Sequence, residues 1–129
     1  MLKTNADLKL VELLLKYVPK EKNLQWENAL LIERQANNFW ICNHNPQEAI
    51  ALFIQTIQIK QLIIDSTPIS DSLYDKRVIS LGKTIYSISK LYREVHDFQR
   101  SEEALNELTQ RLRSIQSRNP SAAALRLFF

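Results

Sequence analysis

Cys42 and His44 stand two residues apart, and His96 is the only other histidine. A histidine beside a cysteine can take the thiol proton and leave a nucleophilic thiolate. The same residue types ligate zinc, but a zinc site needs about four ligands in a recognisable cluster. One cysteine and two histidines, with no CxxC or HxxxH spacing, do not supply them. A lone cysteine at a helix end beside Phe39 and Trp40 reads as a packing residue. Glu102 and Glu103 could serve as paired carboxylates. They fall in the first turn of an expected helix, where the helix dipole favours negative charge without any catalysis. Gly82 is the one glycine, so no glycine-rich phosphate loop exists. The expectation is a protein with no catalytic residues, no metal and no cofactor, which works by binding.

The residues left with chemistry to offer are basic. All arginines but Arg34 lie from Arg77 onward, and residues 108–129 hold Arg111, Arg113, Arg118 and Arg126 with no acidic side chain. Arg111 and Arg118 are two helical turns apart and share a face, while Arg113 projects elsewhere. Lys76, Arg77, Lys83, Lys90 and Arg93 line the preceding helix, Lys83 and Lys90 again seven apart. Such cations can follow a phosphate backbone without reading bases. The same pattern is also that of a solvated helix face laced by pairs such as Glu107 with Arg111.

The elements that must position these residues are helices. A single glycine in 129 residues is far below the usual share. Hairpin turns and bulges need glycine for positive φ, so the chain has few such corners, and long helices with short polar connections fit best. The chain is long enough for one real core and reads as a single domain over residues 1–129. The hydrophobic share is 45% and the charged share 24%, both ordinary for a globular protein. The formal charge of +3 is mildly basic, which permits acidic partners without demanding them. One cysteine allows no internal disulfide and suits a reducing compartment. The first twenty residues lack the pattern of a signal peptide. The most apolar run, 49–64, is too short and too polar to span a bilayer. A cytoplasmic protein is expected.

The expected fold class is all-α, a compact bundle of about five helices with no sheet. The first helix starts after Thr4 and is stopped by Pro19, with Leu8, Val11, Leu14, Leu15 and Val18 inward. The second spans about 24–42. Asn45-Pro46-Gln47-Glu48 is a strong helix start, with an asparagine cap and proline at the first helical position. It opens a third helix to Asp65, apolar on most sides and therefore central. The fourth spans about 71–96, with Leu73, Val78, Leu81, Ile85, Ile88, Leu91, Tyr92 and Val95 inward. The fifth begins at Ser101 and ends near Arg118, and a short helical tail over 122–129 closes the chain. Trp40, Phe53, Ile57, Ile85 and Ile88 are expected to be buried together. Leu127, Phe128 and Phe129 are costly to leave in water, so they either fold back on the core or dock on a neighbouring subunit.

One internal echo stands out. Trp40, Ala49 and Phe53 have the same spacing as Tyr92, Ser101 and Leu105, 52 residues later. An aromatic, a small residue nine on and a large apolar residue four further resembles the tetratricopeptide repeat, in which these side chains pack hairpin against hairpin. The expected glycine of that motif is absent, Thr56 and Leu108 stand for its later alanine, and the spacing exceeds the usual length of about 34 residues. The resemblance implies a protein-binding helical adaptor.

In size, helical make-up and basic C-terminal half, the whole chain is similar to the small subunit of CRISPR effector complexes, an antiviral assembly. That resemblance implies a non-catalytic helical subunit. It would stack on other protein subunits, including copies of itself, and contact the backbone of RNA or DNA through Lys83, Lys90, Arg93, Arg111, Arg113 and Arg118. This is the leading expectation, with the adaptor as its alternative. No membrane partner is expected.

Overall fold

A computed structural model describes the backbone of residues 2–17 and 21–118, and side chains over 6–16 and 21–117. The described residues form five α-helices and no strand. They are α1 (Leu2–Tyr17), α2 (Lys22–Ile41), α3 (Pro46–Asp65), α4 (Tyr74–Glu94) and α5 (Phe98–Arg118). No helix among them is long and apolar enough to cross a membrane. The chain divides into two compact units, Met1–Ser66 and Thr67–Phe129.

In the first unit α2 packs against both α1 and α3, so α2 is its middle element. That corrects the central place expected for α3. The apolar residues of α3 outnumber what one buried face can hold: Ala49, Phe53, Ile63 and Ile64 are buried, while Ile54 and Leu62 face solvent. Helix α1 starts at Leu2 rather than after Thr4. The first N–H groups of a helix can be satisfied by water, so a capping side chain is not obligatory there. Its Leu8, Val11 and Leu15 are half-buried, and Leu14 is exposed. Pro19 and Val18 lie outside the described residues, as does the tail over 119–129. The α2–α3 turn follows its sequence signal. Asn45 Oδ1 accepts from the Glu48 N–H at 3.2 Å, with proline at the start of the helix.

In the second unit α4 packs against α5. Helix α4 begins three residues later than expected. Asp71 holds the preceding turn by accepting from the Leu73 N–H at 2.9 Å, and this leaves Leu73 exposed. Helix α5 begins three residues earlier than expected, because Asp97 acts as its cap, accepting from the Arg100 N–H at 3.3 Å. The buried face of α5 is Ser101, Ala104, Leu108, Leu112 and Ile115.

The two hairpins repeat each other. A shift of 52 residues carries Lys22–Ile41 onto 74–93 and Pro46–Asp65 onto 98–117, matching α4 and α5 to within one residue. The shift carries the cap Asn45 onto the cap Asp97, and the bond from the Ala49 N–H to the Asn45 carbonyl onto that from Ser101 to Asp97. His44 and His96, the two described non-glycine residues with positive φ (50° and 62°), are related by the same shift. Each sits between its helices where the chain must leave the right-handed region, which histidine tolerates better than most residues. Buried positions correspond as well: Ala29 with Leu81, Ala36 with Ile88, Ala49 with Ser101, and Ile63 with Ile115.

The expected core group is distributed over the two units. Phe53 in the first, and Ile85 and Ile88 in the second, are buried, whereas Trp40 and Ile57 are only half-buried. Trp40 meets Phe53 edge to face, with centroids 6.2 Å apart at 82°.

Ser101 carries a buried hydroxyl with no hydrogen-bond partner among the described residues, at the position where the first hairpin has Ala49. An unsatisfied buried hydroxyl costs about 1–3 kcal/mol. Ser101→Ala is therefore expected to stabilise the protein by about 1 kcal/mol, read as a raised midpoint in urea unfolding with an unchanged slope. A lowered midpoint would mean that the hydroxyl has a structural role.

Candidate functional site

The helical repeat turns the exposed arc of α4 into a row of cations. Lys76, Lys83 and Lys90 recur every seven residues, and Arg93 follows three residues on. At seven-residue spacing on a 3.6-residue helix, each lysine lies nearly above the last. All four are exposed, and the row runs about 25 Å along the helix. Between Asp75 and Glu94 the helix has no acidic side chain. None of Lys76, Lys83 and Arg93 pairs with an acid among the described residues. Tyr86 lies in the same row, three residues after Lys83 and four before Lys90. It is 45% exposed, and the Lys90 ammonium stands 4.8 Å from its ring centroid.

The other cations behave differently. Arg77, expected among the surface cations, is buried, and its Nη1 donates to Thr67 Oγ1 at 3.0 Å. Arg111 is half-buried and donates from both Nη2 (2.8 Å) and Nε (3.2 Å) to Glu107 Oε1, the pairing expected of a solvated face. Arg113 is exposed, about 200° round α5 from Arg111. The Arg118 backbone closes α5, but its side chain lies outside the described residues, as do Leu127, Phe128 and Phe129. Of the six basic residues expected to contact a backbone, Lys83, Lys90 and Arg93 thus share one open face of α4. Arg111 and Arg113 do not share a face.

At the α4–α5 turn, Arg100 pairs with Asp97 at 3.5 Å and lies 5.9 Å from the Tyr92 ring centroid. Burial pushes the Tyr92 phenol above its ordinary value of 10.0, against the opposing pull of the Arg100 guanidinium. The phenol is therefore neutral at pH 7. Phe98, 58% exposed, meets the His96 ring at 5.8 Å.

A second charged group sits inside the first unit. The Lys60 side chain is 0% exposed; its Nζ donates to Glu33 Oε1 at 3.1 Å and stands 5.4 Å from the Trp26 ring centroid. Sequence periodicity did not single out this group, because an ion pair between residues 27 apart leaves no local signal. The shift of 52 residues carries Glu33 onto Ile85 and Lys60 onto Leu112, both buried. The pair thus takes the place of two apolar core positions of the other hairpin, which marks it as a packing element between α2 and α3. Cys42 and His44 are both exposed. Among the described residues no group of three or more His, Cys, Asp or Glu side chains could hold a metal ion. The chain matches no protein-family model, no curated protein and no solved structure.

Proposed function

We propose that the protein is a non-catalytic helical subunit that contacts a nucleic-acid backbone through the exposed row Lys76, Lys83, Lys90 and Arg93 of α4. The observation that carries this reading is the row itself: four exposed cations on one face, with no acid among them and none of them paired with an acid among the described residues. A solvated helix face usually interleaves both signs, as α5 does with Glu107 and Arg111. Four cations release few counterions, so one copy binds weakly and without sequence preference, with Kd of about 10⁻⁴–10⁻⁶ M at physiological salt. Useful strength then comes from several copies on one strand, where linked sites add avidity. In size, helical make-up and charge the chain resembles the small subunit of CRISPR effector complexes, and that resemblance implies contact of this kind.

The repeated hairpin favours a second reading, a protein-binding adaptor of tetratricopeptide type. The two readings separate on the α4 row. Lys83→Gln, Lys90→Gln and Arg93→Gln together keep helix-forming residues and are expected to weaken nucleic-acid binding at least tenfold. Arg111→Gln with Arg113→Gln is expected to change it less than threefold, since Glu107 already occupies Arg111. Fluorescence anisotropy with labelled oligonucleotides measures both. Equal binding by the α4 variant and wild type would move the assignment to the adaptor.

A further inference from the structure

The row on α4 is more than charge. Tyr86 stands within it, between Lys83 and Lys90, with nearly half of its surface open to solvent. The Lys90 ammonium lies over the ring, a cation–π contact, and a base that stacks on that face displaces it toward the flanking phosphate. The ring of an exposed tyrosine finds no stacking partner on a duplex, because the bases of a duplex are stacked inside and offer only their edges in the grooves. A single strand is different: its unstacked bases present flat faces that lie on aromatic rings while lysine and arginine track the phosphates. Cations at two-turn spacing with an aromatic between them match that chemistry.

We infer that the α4 row is a site for single-stranded nucleic acid, in which a base stacks on Tyr86 while Lys83, Lys90 and Arg93 neutralise the flanking phosphates. The inference rests on the nucleic-acid reading of α4 and goes beyond it by naming the strand type and the residue that selects it. Stacking is tolerant of base identity because every base has a π-face, so the site holds RNA or DNA strands without reading their sequence.

The test compares wild type, Tyr86→Leu and Tyr86→Phe. Each is titrated against oligouridylate, oligothymidylate and a DNA duplex of the same length. Tyr86 is exposed, so the substitutions leave the fold intact, which circular dichroism and the melting temperature verify. Wild type is expected to prefer a single strand to the duplex. Tyr86→Leu is expected to lose about tenfold on the single strand, within the range that one stacked base contributes, and nothing on the duplex. Tyr86→Phe is expected to bind like wild type, since the ring and not the hydroxyl does the stacking. A loss confined to oligouridylate or to oligothymidylate supports the site and identifies the strand it serves. Unchanged single-strand binding by Tyr86→Leu, or an equal loss on the duplex, would overturn the stacking role and leave the backbone reading standing. Absence of wild-type binding to all three probes would remove both.

Discussion

Glu33→Ile is expected to lower the stability of the protein by about 3–5 kcal/mol, because it takes the carboxylate away from an ammonium that solvent does not reach. Adding Lys60→Leu to the same chain restores most of that loss. Desolvating two charges costs several kcal/mol per ion, and their attraction repays it only in good geometry, so a well-packed apolar pair often does as well or better. The repeat gives a reason to expect this here. At the positions 52 residues on, the second hairpin has Ile85 and Leu112, both buried. The double variant copies that solution into the first hairpin and is expected within about 1 kcal/mol of wild type. Urea unfolding of both single variants and the double variant forms a complete cycle. A double variant as unstable as the sum of its parts would show that the ion pair fixes the packing of α2 against α3 in a way that apolar residues cannot replace.

Phe53→Ala is expected to cost about 3–5 kcal/mol, the range for truncating a buried phenylalanine. Phe53 is fully buried, and its ring packs edge to face with Trp40. It is the point at which the helix entered through Asn45 and Pro46 meets the last turns of α2. Alanine there removes the ring and leaves a cavity that the half-buried Trp40 fills only in part. A melting temperature equal to that of wild type would mean that the α2–α3 hairpin is held together elsewhere.

The sequence made the helices legible because their signals are local. Asn45 and Pro46 mark a start by capping chemistry, and one glycine in the whole chain leaves little room for hairpin turns. The echo from Trp40, Ala49 and Phe53 to Tyr92, Ser101 and Leu105 was visible as spacing. The structure extends it to whole helices, to both caps and to the two positive-φ histidines. What sequence missed depends on partners distant along the chain. Lys60 counts as polar in any periodicity, yet Glu33 and Trp26 bring it inside. Arg77 counts as a surface cation, yet Thr67 binds it in the interior. Ser101-Glu102-Glu103 has the composition of a helix start, yet Asp97 caps α5 one turn earlier. Tyr86 carries no signal of its own in sequence, because an exposed tyrosine between two cations matters only once the face they share is known.

The measurement that bears most directly on the α4 assignment is the salt dependence of single-strand binding, taken for wild type and for the Lys83→Gln, Lys90→Gln, Arg93→Gln variant. Each cation that replaces a condensed counterion on a single strand contributes about −0.7 to the slope of log affinity against log salt concentration. Wild type, with four such cations on α4, is expected to give a slope of about −2 to −3. Loss of three is expected to flatten it by about 2 while helix content stays the same. The same slope in both proteins would contradict the assignment of nucleic-acid contact to this face of α4.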